Sequence, residues 1–275
     1  MSKPPIDFHK GFHDVDATGA SAAFETYLVN IHAMPAWAAS RVKRFEMAGL
    51  AQGESVLDAG CGVGMDLDEL AAGVGATGRI IGFDLSDELI ALAKRRAAAL
   101  STPISFRQGD LHALPFEENQ FDLVWSERVL MYLERPLVAV AEILRVLKPG
   151  GRFVAGEIDF SAIWATSPDE DFRYALQMRT MRSVRNPGLA RHLPGLCIQA
   201  GFAKTIVEPS MVASHDFAQT ERGANLVWHL DRMVEDGEIS REDADNWLST
   251  QRRLSDEGSF TSVLVVPNLL AVKAA

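Results

Sequence analysis

Residues 56–64, Val-Leu-Asp-Ala-Gly-Cys-Gly-Val-Gly, constrain this chain more than any other stretch. An apolar run ending in Asp58 reads as a buried strand, and Gly60, Gly62 and Gly64 then allow a sharp turn. A helix follows from near Met65 and Asp66. In an α/β protein this order of elements builds a nucleotide-sized pocket at the carboxyl end of a strand. The helix turns its positive end towards the turn, and Asp58 adds a negative charge beside it. A ligand carrying both an ammonium and a carboxylate suits such a place. A nicotinamide-binding turn needs a third glycine, G-x-G-x-x-G, and Met65 holds that position.

The same plan recurs twice. Residues 79–84 form a short apolar strand ending in Asp84, and Ser86 is placed to cap a helix with Asp87 and Glu88 in its first turn. An acid at the tip of that second strand can accept both hydroxyls of a ribose. Residues 104–111 give a strand, then Gly109, then Asp110, whose carboxylate suits an exocyclic adenine amine. Residues 121–126 read as a fourth strand. Residues 147–151 read as a turn leading into a fifth strand over 152–158.

These segments, VLDAGCGVG, GFDLS, QGDLHALPF, FDLVWSERVL and LKPGGRFV, resemble in order and spacing those of the class I S-adenosylmethionine-dependent methyltransferases. The resemblance covers about residues 50–160, with weaker echoes over 189–215 and 259–275, and is nearest the small-molecule branch acting on quinones and natural products. It implies an α/β, Rossmann-like, doubly wound sheet of seven strands with the last strand antiparallel. It also implies S-adenosyl-L-methionine as cofactor, S-adenosyl-L-homocysteine as product, and methyl transfer to an O, N or C atom of a small organic acceptor. Around the cofactor it implies Tyr27, Asp58, Gly60, Cys61, Gly62 and Asp84. Leu85, Gly109, Asp110, Leu111, Ser126 and Glu127 complete that set. Two other readings remain open at this point: a nicotinamide-dependent oxidoreductase, and a non-catalytic partner subunit of methyltransferase fold.

Composition narrows the partners. The 275 residues suffice for one large α/β domain with additions, and 47% apolar and 23% charged residues are ordinary for a soluble fold. A formal net charge of −10 argues against docking on nucleic acid, which favours a basic face. No apolar run reaches a membrane span, and residues 1–10 lack a signal-peptide core, so the expected setting is the cytoplasm. Cys61 and Cys197 have no metal-binding or disulfide spacing, and no metal is expected.

Specificity falls to the two ends. Residues 1–50 are expected to form a helical lid, with helices over 24–32 and 36–47, ahead of a cofactor-binding core at 51–160. Residues 161–275 would complete the sheet on the substrate side, with a helical insertion at about 218–258 before the last strand. Helices are expected over 168–185, 189–200, 220–235 and 240–255, and strands over 204–212 and 261–272. The insertion either covers the pocket or builds a homo-oligomer interface, and the pattern leaves both open.

Once a sulfonium supplies the methyl group, the protein mainly positions the acceptor, excludes water and sometimes removes a proton. His32 and Glu157 are the preferred catalytic candidates. Arg128, Tyr132, Trp164, Tyr174, Met178 and His229 are the substrate-side candidates.

Overall fold

A computed structural model describes residues 6–275. Two short helices, α1 (Phe8–Gly11) and α2 (Val15–Thr18), precede α3 (Ser21–His32) and α4 (Pro35–Ala48). The core runs β1 (Ser55–Ala59), α5 (Leu67–Val74), β2 (Arg79–Asp84), α6 (Asp87–Ala97), β3 (Ile104–Gln108) and β4 (Phe121–Glu127). A 3-10 turn at Leu130–Tyr132 leads to α7 (Pro136–Val146), β5 (Leu147–Gly156) and β6 (Asp159–Ala165). Then come α8 (Glu170–Ser183), α9 (Leu189–Ala200), β7 (Lys204–Ser214), α10 (Phe217–Gly223), α11 (Leu226–Glu235), α12 (Arg241–Asp256) and β8 (Ser262–Val272).

Local chemistry sets many of the boundaries. Pro35 opens α4, where its missing N–H is harmless, and Gly49 closes it in the left-handed region at φ 52°. The Ser86 hydroxyl accepts from the Leu89 N–H at 3.0 Å, capping α6 as the sequence predicts. Ser240 and Asp243 form a reciprocal capping box at the start of α12.

Strands β1 to β5 are parallel, in the order β3-β2-β1-β4-β5. Strand β8 runs antiparallel beside β5, and β7 pairs with β8 along its length. The last strand is thus antiparallel, as expected, but the sheet has eight strands and not seven. The extra strand is β6, which pairs Asp159–Ala165 with Ser262–Val265 on the same edge of β8 that β5 uses lower down. A second correction concerns residues 147–151. They are an irregularity within β5 and not a turn before it: Leu147 pairs with Phe121, and the register then shifts so that Arg152 pairs with Leu123.

Alternation along each strand sends side chains to two layers. Leu57, Val124 and Phe153 face a core shared with α7 and α9, which also takes Tyr27, Ile31 and Trp37. Their neighbours Val56, Trp125 and Val154 face the layer of α5. Helices α10 to α12 form the expected insertion and bury a small core of their own, with Phe217, Leu230, Met233 and Trp247. The single helix expected over 220–235 is two, because Asn225 takes a left-handed conformation at φ 52°. Among the described residues no helix is long and apolar enough to cross a membrane.

Candidate active site

The carboxyl ends of β1 to β4 open onto a cavity of about 310 Å³. The glycine turn after β1 forms its floor. Gly60 has φ +82°, and a side chain there would overlap Val129. The N–H groups of the turn are not free for a ligand: those of Gly60 and Cys61 donate to the Phe83 carbonyl at 2.7 and 3.1 Å. The Gly62 N–H donates to Asp84 Oδ2 at 2.8 Å, so the turn offers space rather than amides.

Asp84 stands at the tip of β2. Its second oxygen accepts the Ser86 N–H at 3.0 Å. Burial raises its carboxyl against the pull of those N–H groups. Beyond β3, Gly109, Asp110 and Leu111 line the cavity with Leu85. Asp110 accepts both the backbone N–H of His112, at 2.9 Å, and an imidazole contact at 2.6 Å. These bonds hold its carboxyl below the usual range although burial pushes it up.

After β4, Glu127 lines the cavity. Burial opposes its ionisation, but Arg44, 2.8 Å away, and Arg128 draw its pKa down to about 2. Arg44 is fully buried, and only a glycine at 156 leaves room for its guanidinium. Asp58, Cys61 and Ser126 are buried beneath this surface and do not line the cavity. Burial first, then Asp66, Asp84 and Glu127, raise the Asp58 carboxyl far above its ordinary value. Asp66 accepts the Trp125 indole N–H at 3.0 Å, and burial lifts it to about 7.

The outer wall comes from the N-terminal helices. His9, Phe12, His13, Tyr27 and Leu28 line the cavity, and His9, Phe12 and His13 pack against Tyr132 beside Arg128 and Arg185. Asp16 on α2 fastens this wall to the tip of β2: it accepts the Ser86 hydroxyl, and the Asp87 N–H at 2.9 Å. The Tyr27 phenol, pushed by burial up to about 12, donates to the Gly223 carbonyl of the insertion at 3.1 Å. Asn225 donates to the Ile6 carbonyl at 2.9 Å.

Most of the expected cofactor-side residues thus meet at one cavity, and Arg128 and Tyr132 join them. The other substrate-side candidates do not. Trp164 and Tyr174 are half exposed, and neither they nor Met178 line the cavity: β6 carries Trp164 along β8, away from the ends of β1 to β4, and α8 packs against β6. His229 is buried behind His9, the two rings 6.4 Å apart. Glu157 faces inward, where its carboxylate accepts the N–H groups of Val129, Leu130 and Met131 at 3.0, 2.9 and 3.3 Å. Burial raises it to about 7, and its place is that of a brace for the turn after β4. His32 lies outside the cavity lining, its imidazole lowered to about 4 by burial and then by Arg41. Sequence reasoning missed His9, whose ring nitrogen Nδ1 lies 3.0 Å from the Tyr132 hydroxyl.

Comparison with known proteins gives a consistent picture. Residues 57–155 match the model of the methyltransferase domain family. An uncharacterized 37.1 kDa protein of transposon TN4556 from Streptomyces fradiae is 37% identical over 71% of this chain and 57% of its own length. Demethylmenaquinone methyltransferase of Lactococcus lactis is 39% identical over 44% of this chain and 47% of its own length. The chain therefore spans about half the length of these curated relatives. Among solved structures, the YcgJ protein of Bacillus subtilis superimposes with a TM-score of 0.59 at 19% identity, over 84% of this chain and 96% of that one. The phosphoethanolamine N-methyltransferase 2 of Haemonchus contortus, solved with S-adenosylhomocysteine, gives a TM-score of 0.53 at 20% identity, over 87% of this chain and 53% of that one. Glycine turn, strand-tip acids, sheet order and family match agree: residues 57–155 belong to the methyltransferase domain family, in a fold like that of the class I S-adenosylmethionine-dependent methyltransferases.

Proposed function

We propose that this protein transfers a methyl group from S-adenosylmethionine to an O, N or C atom of a small organic acceptor of the quinone or specialised-metabolite type. The observation that carries this reading is Asp84. A carboxylate has about four acceptor sites, and the two backbone N–H groups from Gly62 and Ser86 leave capacity for two ribose hydroxyls. Gly60 and Gly62 would take the methionine part against a surface free of side chains, and Gly109 to Leu111 with Leu85 the adenine. Glu127, held ionised by Arg44 and Arg128, lines the cavity and suits a cationic neighbour. Bound there, S-adenosylmethionine supplies a methyl group already activated on a sulfonium. The chain itself has to hold the acceptor and exclude water, and Phe12, Tyr27, Leu28, Tyr132 and Leu133 provide the apolar walls for that.

Residues 1–50, of which 1–5 lie outside the described residues, act in this reading as a cap over the cavity, 51–160 as the cofactor core, and 161–275 as the part that completes the sheet and braces the cap. The quinone-type assignment draws on the demethylmenaquinone relative. Calorimetric titration tests the cofactor: S-adenosylhomocysteine is expected to bind in the micromolar range and NAD to give no heat. Heat from NAD and none from the homocysteine nucleotide overturns the proposal.

A further inference from the structure

Strand order places Asp110 and Asp84 on the β3–β2 side of the cavity and residues 127–134 on the β4 side, with the glycine turn between them. The polar groups on the β4 side are distinctive. His9 is 3% exposed, and its Nε2, on the far side of the ring from Tyr132, has no hydrogen-bond partner among the described residues. The Arg128 guanidinium lies 5.2 Å from the centre of the Trp37 ring, and its buried Nε also makes no hydrogen bond within the described residues. Its carboxylate neighbour Glu127, at 3.6 Å, is already held by Arg44 at 2.8 Å, so one anion serves two guanidiniums. Arg185 and His13 extend the same wall.

These groups differ in what they can accept. Burial first, and the charge of Arg128 second, lower the His9 imidazole to about 4. Burial likewise holds the Tyr132 phenol well above its usual value. Both are therefore neutral at ordinary pH, and neither can keep a proton taken from an alcohol. Glu127 and Glu134 line this side as well, but Glu127 is shared between Arg44 and Arg128 and Glu157 is spent on three backbone N–H groups, which leaves guanidinium charge at Arg128 and Arg185 for an oxyanion.

We infer that, on the methyl-transfer reading above, the β4 side of the cavity recognises an acceptor bearing an ionised conjugated oxygen, a phenolate or enolate, through His9 and Arg128. In this arrangement the Tyr132 hydroxyl is the donor of its 3.0 Å contact with His9 Nδ1, so that the imidazole hydrogen sits on Nε2 and that nitrogen donates to the oxygen. Arg128 supplies the compensating charge. The acceptor loses its proton to bulk water before it is bound, and no side chain acts as base. Tyr132 is a positioning residue here, and the rings of Phe12 and Tyr132, 5.0 Å apart, offer flat faces to a conjugated molecule.

The probe is 4-nitrophenol, whose ionised form is coloured, added to protein loaded with S-adenosylhomocysteine and titrated with pH. Bound 4-nitrophenol is expected to ionise about one pH unit lower than free, a tenfold bias. His9→Gln and Arg128→Gln should each lose that bias, while Arg128→Lys, which keeps the charge, should retain most of it. Tyr132→Phe should reduce the bias. Uptake of the neutral phenol, no binding at millimolar concentration, or tighter binding of benzylamine overturns the inference. The heat of S-adenosylhomocysteine binding, measured separately, keeps its failure apart from failure of the methyl-transfer reading.

Discussion

The carboxylate of Asp84 ties the glycine turn to the start of α6 by accepting one N–H from each. Its loss should therefore be felt twice. Asp84→Ala is expected to weaken S-adenosylhomocysteine binding by about 1–3 kcal/mol, the scale for removing a charged hydrogen-bond partner, and also to lower the melting temperature. Calorimetry and a thermal scan on the same variant read the two effects separately. Unchanged binding would remove Asp84 from the cofactor site. Such strand-tip acids are legible in a sequence because strand, glycine and acid are adjacent along the chain. His9 was not legible, since Tyr132 lies 123 residues away and α1 is too short to show helical periodicity. Glu157 shows the opposite failure. The sequence marks it as an acid closing a strand, but only the fold reveals three backbone N–H groups converging on it.

Among the elements, the core strands and most helices follow from apolar periodicity and caps; α9 spans Leu189–Ala200 as expected. Strand β6 did not emerge, because it is defined by its partner: five of its seven residues are exposed or half-buried, and it gains order from β8 about a hundred residues later. The break between α10 and α11 did carry a local signal, Gly223 and Asn225, both helix-ending residue types, which the apolar period on either side obscured. Asn225 adopts a left-handed backbone and spends its side chain on the Ile6 carbonyl. That bond joins the insertion to the N-terminal cap. Asn225→Gly keeps the backbone preference and removes the bond. Amide exchange should then quicken across residues 6–20 while β1 to β5 stay protected. Unaltered exchange in that segment would mean that the Asp16 and Tyr27 contacts suffice to hold it.

At the scale of the whole molecule, the same burial that shapes the site couples folding to pH. His229 is 1% exposed and lowered to about 3, by burial and then by His9. Between pH 3 and 6.5 the unfolded chain binds a proton at this position that the folded chain does not, so stability rises with pH through that window. Asp66 and Glu157, both raised to about 7, act in reverse: stability that they contribute at low pH is lost as pH rises from about 4 to 7. The opposing terms conceal one another in the wild type, and His229→Leu separates them. From pH 8 to pH 5 the stability of the variant relative to the wild type should grow by about 2 kcal/mol, which denaturant titrations at the two pH values would read. A constant difference would mean that His229 keeps its proton when folded. The sheet also has a temporal consequence. Strand β8 lies between β5 and β7 although the chain makes β7 first and then the three insertion helices. On the ribosome, the edges of β5 and β7 must therefore wait unpaired through the synthesis of more than forty residues, during which a neighbouring nascent chain can offer its own strand. Crowded polysomes should favour that exchange, and slow translation ahead of β8 should prolong the exposure.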